Sequence, residues 1–508
     1  MQSERVPEEM ENGHESSERA DEFPLRPAVF RREDGNGEVS RSPSPNDGLA
    51  DDGSGGSIAT TLRNVAATLE VDASAPGESE TLFFPKQPRT LTEVGLSKAF
   101  LTDLALKIIH YSGTPSTAQL MRRLGLGQAM VQQVLASLQE ERLCEVLSQS
   151  DLYTGNYRYR LSERGTGRVM EALERTRYAG PAPVTADQYA EVIRTQKEQK
   201  QAPSRSRIMA LLDDLVFTPE VADAVARALY SDKTTMLHGL SGNGKTEILE
   251  RFAGDLDGTV LVPFAIYAYG QVIRVFDPSV HETVEELTER EVVKDDEKLD
   301  RRWVRVRRPA VVLGSEIGPE SLDLAYDPQA RFYQAPPHIK AQGGVLVVDD
   351  LGRQKMKTEE LMTRWLIPAE RGWDSLSLNT GEKLTVPFDV RILLGTNRPI
   401  HELMNDDVLR RILYKVEIPS PGPQEFAEIL RNLCRQRNVQ TPDGAVERVV
   451  ERLYAQPDVK PRAANARDLV DIVIEGAAYD EREPVLDEDS FERALELFMG
   501  QRATDETA

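Results

Sequence analysis

The stretch that decides the fold is Gly239-Leu-Ser-Gly-Asn-Gly-Lys-Thr246. It fits the pattern G-x-x-x-x-G-K-[ST] at every position. The residues before it, 234–237 (TTML), predict a short strand, and the residues after it, 247–252 (EILERF), predict a helix. Because a strand, a glycine-rich turn and a helix start are the context that the pattern requires, we predict a phosphate-binding loop here.

Each residue of this loop has an expected role. Lys245 is expected to neutralise the β- and γ-phosphates of a nucleotide, and Thr246 to bind Mg²⁺ through its hydroxyl. Converging backbone N–H groups and the positive end of the helix dipole favour bound phosphate. The remaining candidate contacts to the nucleotide are Gly239, Leu240, Ser241, Gly242, Asn243, Gly244 and Glu247.

A second element of a nucleotide site follows about 100 residues later. Its sequence, Gly343-Gly-Val-Leu-Val-Val-Asp-Asp350, predicts a buried strand that ends in two acids. A carboxylate at the end of a strand beside a phosphate-binding loop can hold the magnesium ion, which is the Walker B arrangement. We therefore predict Asp349 as a metal ligand and Asp350 as the general base that orients the attacking water. The alternative is that the two acids end a strand and cap the next helix.

Two further sets of residues suit phosphoryl transfer. The predicted strand 390–394 (VRILL) leads to Asn397, which could share the attacking water with the base. Arg410 and Arg411 lie just before the next predicted strand, and arginines stabilise the charge that develops during phosphoryl transfer, in cis or from a neighbouring subunit. The alternatives are an Asn-Arg-Pro turn and a solvated charged helix face.

In this order and spacing the motifs resemble an AAA+ ATPase, over residues 205–500 or so. The resemblance implies Walker A at 239–246, Walker B at 345–350, sensor 1 at Asn397, an arginine finger at Arg410 or Arg411, and sensor 2 at Arg467. It also implies adenine contacts from the stretch that contains Val216 and Phe217. Two pieces, 341–353 and 363–372, are similar to bacterial AAA-family ATPases with an N-terminal winged helix.

The resemblance implies an α/β fold, in which a P-loop NTPase parallel sheet in the core, 205–420, is followed by an α-helical lid, 421–500. It further implies ATP and Mg²⁺ as cofactors, an oligomeric ring that is often a hexamer, and hydrolysis coupled to movement of a protein or nucleic-acid client. One departure is that the acidic strand ends Asp-Asp, where the family has Asp-Glu. Since Asp350 is one methylene shorter than glutamate, we expect slow hydrolysis.

The segment 91–180 predicts a separate small module. Helices over 96–111, 117–124 and 127–141 precede a hairpin of 143–147 and 157–161 and a helix that opens at Ser162, an order that resembles a winged-helix (α+β) domain. Its third helix offers glutamines but no lysine or arginine, which is a poor electrostatic footprint for DNA. We therefore expect protein docking, with DNA binding as the alternative, and a linker over 181–204.

The ends of the chain differ from the rest in composition. Residues 1–90 hold 18 acidic and 9 basic residues, are rich in Ser, Gly and Pro, and predict a disordered acidic tail; 501–508 predict a short second tail. The net charge of −22 argues against a polybasic membrane anchor, and no apolar run approaches the length of a membrane helix. Two distant cysteines make no disulfide framework, so we expect a cytoplasmic protein.

Three functions remain open at this point. The leading hypothesis is an oligomeric ATPase that remodels an unknown client. The first alternative is a DNA-binding regulator in which ATP switches assembly, and the second is a scaffold that binds ATP with little turnover.

Overall fold

The computed structural model describes residues 84–149, 157–284, 299–455 and 460–500, all in one compact unit of the chain. The predicted acidic tail lies outside the described residues up to position 83, and so does the predicted tail 501–508. Residues 84–90, which the prediction assigned to the tail, belong to the fold: the Pro85 carbonyl accepts a hydrogen bond from the Asp300 N–H (3.0 Å).

The small module shows the predicted order of elements, and its assignment as a winged helix stays a prediction. Serine caps start α2 and α5, where the Ser97 and Ser162 hydroxyls accept from backbone N–H groups of the first turn. The elements are α1 (Leu91–Val94), α2 (Lys98–Ser112), α3 (Thr117–Leu124), α4 (Gln128–Glu140), β1 (Cys144–Gln149), β2 (Tyr157–Leu161) and α5 (Glu163–Arg175).

The predicted linker 181–204 is instead mostly helical, which corrects the sequence prediction. It contains β3 (Val184–Thr185) and α6 (Ala186–Glu198). Thr185 and Gln188 form a capping box at the start of α6. The helix buries Tyr189, Val192 and Ile193, and this apolar spacing is the reason that the segment folds against the body of the protein.

The strands that form the core sheet alternate with helices, as the sequence predicts. From residue 205 to the carboxyl end of the acidic strand, the elements are α7 (Arg205–Leu212), α8 (Pro219–Tyr230), β4 (Thr235–His238), α9 (Lys245–Gly254), β5 (Thr259–Pro263), β6 (Ala265–Ala268), β7 (Gln271–Arg274), β8 (Trp303–Arg307), β9 (Ala310–Leu313), β10 (Ala325–Asp327), β11 (Phe332–Gln334), α10 (Pro337–Lys340) and β12 (Val345–Val348). The elements that follow up to residue 417 are α11 (Thr358–Arg371), β13 (Trp373–Ser377), β14 (Lys383–Pro387), β15 (Arg391–Thr396), α12 (Ile400–Leu403), α13 (Asp406–Leu409) and β16 (Tyr414–Glu417).

The core sheet is parallel throughout, with the strand order β16-β4-β15-β12-β9. Both faces of β12 are covered: Val345 and Val347 pack with α9, and Leu346 and Val348 pack on the side of α11. This burial explains the continuous apolar run in the sequence of β12. The predicted α/β fold with a parallel sheet is confirmed.

A second five-stranded sheet, β10-β11-β7-β6-β3, is built largely from the chain between β5 and β12. The small module packs against its β6 and β7, where Ala265 and Val272 share a core with α2 and α4. A buried ion pair reinforces this junction, because Arg302 contacts Asp300 (2.8 Å) and also donates to the carbonyl of Val94 (3.0 Å). Residues 285–298, in the connection between β7 and β8, are outside the described residues.

Four helices end the described chain, in agreement with the predicted lid: α14 (Pro423–Gln436), α15 (Ala445–Tyr454), α16 (Ala463–Tyr479) and α17 (Glu488–Gly500). They enclose a separate apolar core that includes Phe426, Leu430, Leu453 and Leu469. Within the described residues no helix is long and apolar enough to cross a membrane.

A buried polar network fixes α11, the helix after the acidic strand. The His338 Nε2–H donates to Asp374 (2.9 Å), and Arg364 contacts the other carboxylate oxygen (2.6 Å). Although burial alone would raise the pKa of Asp374, hydrogen bonds from His338 and Arg364 lower it to about 2. The Trp365 indole N–H donates to Nδ1 of His338 (3.3 Å), which fits a neutral imidazole whose pKa burial lowers.

Replacing Asp374 is expected to destabilise the fold, because Asp374→Asn removes a buried charge and leaves Arg364 without its carboxylate. We expect the free energy of unfolding to fall by about 3 kcal/mol, measured by urea denaturation at neutral pH. The matched control is Asp223→Asn, since the exposed pair between Asp223 and Arg227 contributes under ~1 kcal/mol. Equal stability of the two variants would contradict this account of the network.

Candidate nucleotide-binding site

The glycine-rich loop connects β4 to α9, as predicted, and its backbone requires glycine. Gly239 has φ +131°, and a Cβ there would lie 2.4 Å from the carbonyl oxygen of Ile418. Gly244 has φ +88° and caps the start of α9. Both conformations are accessible to glycine at little cost and to other residues only with strain.

Lys245 lies in the first turn of α9 and is 5% exposed. Its ammonium donates to the carbonyls of Gly239 (3.0 Å) and Leu240 (2.8 Å), so the side chain lies along the loop. Burial lowers the pKa of Lys245, and the nearby carboxylates of Asp349 and Asp350 oppose this effect. The predicted phosphate-binding lysine and the two predicted acids therefore lie close together.

The two predicted metal ligands are hydrogen-bonded to each other. The Thr246 hydroxyl donates to Oδ2 of Asp349 (2.8 Å), although the two residues are 103 positions apart. Asp349 directly follows β12 and Thr246 is in the first turn of α9, so both side chains lie at the carboxyl edge of the core sheet. A hydroxyl and a carboxylate are oxygen ligands of the kind that Mg²⁺ takes.

The predicted base and its partner are also brought together. The Asn397 amide donates to Oδ1 of Asp350 (2.6 Å) from the end of the neighbouring strand β15. Asp350 has φ +48°, a left-handed conformation that is uncommon outside glycine. Its side chain is 40% exposed and has Arg353 at 3.9 Å. The carboxylate is therefore accessible to solvent and oriented by an amide.

The lid contacts the loop through the start of α16. The Ala464 N–H donates to the Gly242 carbonyl (2.8 Å), and the Ala463 N–H donates to Oδ1 of Asn243 (3.4 Å). Asn243 is 2% exposed and also donates to the Ser420 hydroxyl (3.3 Å). Asn243 therefore links the loop to both the core and the lid.

Arg467, the lid arginine that the sequence reasoning selected, lies away from these contacts. Its side chain is 60% exposed, and its ion-pair partner is the adjacent Asp468 at 3.9 Å. No hydrogen bond or ion pair joins it to the loop within the described residues.

Arg462, at the start of the same helix, is the residue that sequence reasoning missed. Its Cδ lies 3.8 Å from the position of a Cβ on Gly242, and its charge contributes to the lowered pKa of Lys245. The Nε atom is buried and has no hydrogen-bond partner within the described residues. The sequence carries no local signal that separates Arg462 from Arg467, because the difference arises from the docking of the helix start on the loop.

The predicted adenine contacts lie beside the loop. The Phe217 ring reaches within 4.0 Å of a Cβ position on Gly244, and both Val216 and Phe217 are half-buried. Arg251 of α9 holds this segment, because it pairs with Asp214 and also with Glu247 (2.5 Å). Glu247 therefore contacts Arg251 in this structure, while Leu240 and Ser241 are exposed on the loop.

The two candidate finger arginines lie on the turn after α13. Arg410 is 68% exposed and pairs with Asp407 (3.3 Å), and Arg411 pairs with Glu370 of α11. Neither residue forms a hydrogen bond or an ion pair with the glycine-rich loop within the part of the chain that the structure describes. The exposed Arg410 is therefore available to a neighbouring molecule, whereas Arg411 is half-buried and held by Glu370.

On α4 of the small module, Gln128, Gln132 and Gln133 are exposed, as DNA binding would require. The hairpin arginine Arg160 is paired with Glu145 (2.8 Å). This pairing reduces the positive charge that the hairpin offers to phosphates.

The comparisons with known proteins add little. A family model described as a domain of unknown function, DUF8689, matches residues 422–497, which span the four helices of the lid. The sequence matches none of the curated proteins with which it was compared.

Several solved structures are similar to parts of the chain. The RuvB Holliday junction branch migration motor of Thermotoga maritima is 14% identical, with 56% of this chain and 71% of that chain covered and a TM-score of 0.32. A point mutant of the same RuvB gives 14% identity, coverage of 56% and 72%, and a TM-score of 0.34. NtrX from Brucella abortus in complex with ATP gives 14% identity, coverage of 65% and 75%, and a TM-score of 0.28. Scores this low reflect only partial superposition, so the functional proposal below depends on the geometry of the site.

Proposed function

We propose that this chain binds ATP with Mg²⁺ and hydrolyses it. The observation that carries the proposal is the hydrogen bond between Thr246 and Asp349 (2.8 Å), directly beside the buried ammonium of Lys245. A hydroxyl, a carboxylate and an ammonium at the start of a helix are the groups that hold a magnesium-bound triphosphate.

The loop and Lys245 bind the phosphates in this proposal. Lys245 turns from the carbonyls of Gly239 and Leu240 to the β- and γ-phosphates, which offer a stronger, charge-assisted hydrogen bond. Thr246 and Asp349 hold the metal ion, which neutralises the charge that develops on the transferred phosphoryl group.

Asp350 and Asn397 position the attacking water. The 2.6 Å contact between them supports this role, because one water can bond to the carboxylate and to the amide of neighbouring side chains. Asp350 is shorter than the glutamate of the AAA+ pattern, and we propose that turnover is slow for this reason.

Arg462 is the lid arginine that contacts the bound phosphates. Its buried and unpartnered Nε, its position beside Gly242 and its effect on Lys245 support this assignment. We therefore assign to Arg462 the role that sequence reasoning gave to Arg467.

Assembly completes the site in the proposal. The exposed Arg410 and the half-buried Arg411 belong to a neighbouring copy's ATP site, as in a ring, and hydrolysis moves a protein or nucleic-acid client. The rival functions, a DNA-binding regulator and a scaffold without turnover, are outcomes of the tests below.

Hydrolysis is the first test. We expect the steady-state release of phosphate from Mg-ATP to fall to background in Lys245→Ala and at least about a hundredfold in Asp350→Asn, because the first variant loses phosphate neutralisation and the second loses the base. The measurement is multiple-turnover phosphate release by the full chain.

The control for hydrolysis is Arg353→Gln, which removes the weaker neighbour of Asp350 and is expected to retain activity within a few-fold. Rates that stay the same in both Lys245→Ala and Asp350→Asn would show that the site is wrongly assigned. Binding without turnover in the parent would favour the scaffold.

The role of the lid arginine is tested by comparing nucleotide binding in two variants. We expect Arg462→Ala to weaken binding of a non-hydrolysable ATP analogue about tenfold, because a charge-assisted hydrogen bond to phosphate is lost. Arg467→Ala, five residues along the same helix, is the matched control and should bind as the parent does. The measurement is equilibrium titration by calorimetry. Weaker binding by Arg467→Ala, with Arg462→Ala binding as the parent does, would show that Arg467 contacts the phosphates instead.

Assembly is tested by light scattering with and without ATP. We expect the mass of the parent to rise on addition of ATP and to rise less in Arg410→Ala or Arg411→Ala, because each change removes a cation from the contact between subunits. The control is Arg435→Ala, an exposed arginine of α14. A mass that stays at one chain in every condition would refute the proposed assembly.

A further inference from the structure

A cavity of about 910 Å³ lies at the amino edge of the core sheet, opposite the glycine-rich loop. The strands β12 and β15 begin in it, at Val345 and Arg391, and end at the carboxyl edge near Asp349 and Asn397. This volume is within the range of small-molecule pockets in proteins.

One wall of the cavity is apolar. It is formed by Ile208 and Leu211 of α7, Phe252 at the end of α9, the following Leu256, and Val260 of β5. Such a wall favours a ligand with an apolar or aromatic part.

Two cations form ion pairs with the carboxylates that line the cavity. Lys200 contacts Asp232 (2.9 Å) and lies 3.7 Å from Asp389. Arg207 donates to Asp255 (2.8 Å) and also contacts Asp257. The four lining aspartates thus share two cations, which leaves a formal charge of −2 on this group, and the other three arginines of the cavity bring the lining to +1.

Arg391 is the most deeply buried of those arginines, at 5% exposure. It donates to the carbonyls of Leu229 (2.7 Å) and Ala228 (2.8 Å), and its guanidinium lies 4.7 Å from the centre of the Phe252 ring. Its Nε is buried without a hydrogen-bond partner in the described residues, and burial lowers the pKa of Arg391 to about 10. The charge of Asp232 opposes this pKa shift, but no carboxylate lies within 4.0 Å of Arg391 among the described residues. A buried cation without such a close partner is costly unless an anion compensates it.

Arg305 adds a second guanidinium. It donates to the Thr259 hydroxyl (3.1 Å) and lies 4.2 Å from the centre of the Phe84 ring. No carboxylate lies within 4.0 Å of it among the described residues, and burial lowers its pKa. Arg308, on the same side of the cavity, donates to the carbonyl of Gly343 (3.0 Å).

From these observations we propose that the cavity is a second ligand site, which binds a small molecule carrying a phosphate monoester on an apolar or aromatic group. The guanidiniums of Arg305 and Arg391 bind the phosphate, because a planar fork of donors matches its oxygens. The wall around Phe252 contacts the apolar part.

The experiment uses phenyl phosphate as the probe and the full chain carrying Lys245→Ala, so that the glycine-rich loop does not contribute. Binding is followed by a ligand-observed NMR titration at constant ionic strength, with benzyl alcohol and inorganic phosphate as separate probes. We expect saturable binding of phenyl phosphate that is at least about tenfold tighter than that of either separate probe, since each has only one of the two groups.

The test variant is Arg305→Gln, whose side chain is half-buried and packs less tightly than that of Arg391. We expect the dissociation constant of phenyl phosphate to rise at least about tenfold in this variant. Arg227→Gln, an exposed arginine outside the cavity, is the matched control and should leave the constant unchanged.

Three results would overturn the proposal: no saturable binding of phenyl phosphate, equal binding by Arg305→Gln and its parent, or binding of benzyl alcohol as tight as that of phenyl phosphate. Because every sample carries Lys245→Ala, failure here leaves the proposed ATP site untouched, and failure of the ATP site leaves this test valid.

Discussion

The arrangement of the site depends on the parallel register of β4, β15 and β12. His238 pairs with Thr396, and Val348 pairs with Leu394, so the residues that follow these strands emerge at one edge of the sheet. This constraint brings Thr246 to Asp349 and Asn397 to Asp350, across 103 and 47 positions of the chain. The same register places the starts of β12 and β15, and the end of α9, in the cavity at the opposite edge.

The lid extends this arrangement. Its helices have their own core, and α16 directs its first N–H groups at the glycine-rich loop. The first N–H groups of a helix have no partner within the helix, and here two of them donate to Gly242 and Asn243. Nucleotide binding and lid position are coupled in our proposal for this reason, with Arg462 at the contact.

Much of the site could be predicted from the sequence, because local motifs specify strand ends and parallel strands bring those ends together. The residues that sequence reasoning misplaced depend on tertiary contacts. Arg462 precedes α16 as its N-cap and Arg467 lies within the helix, and only the docking of α16 on the loop distinguishes their roles. The sequence predicts a linker over 181–204, whereas α6 forms there because its short apolar face is buried against distant strands. No local sequence pattern predicts the arginine-lined cavity, since its residues come from separate elements.

The central claim is that Thr246 and Asp349 hold Mg²⁺ on the phosphates of ATP. The most direct measurement is the affinity of the full chain for ATP by calorimetry, with Mg²⁺ and with the metal chelated, in the parent and in Asp349→Asn. The account predicts tighter binding with Mg²⁺ in the parent and little effect of the metal in Asp349→Asn. Binding that ignores Mg²⁺ in the parent, or that depends on it equally in both proteins, would contradict the account.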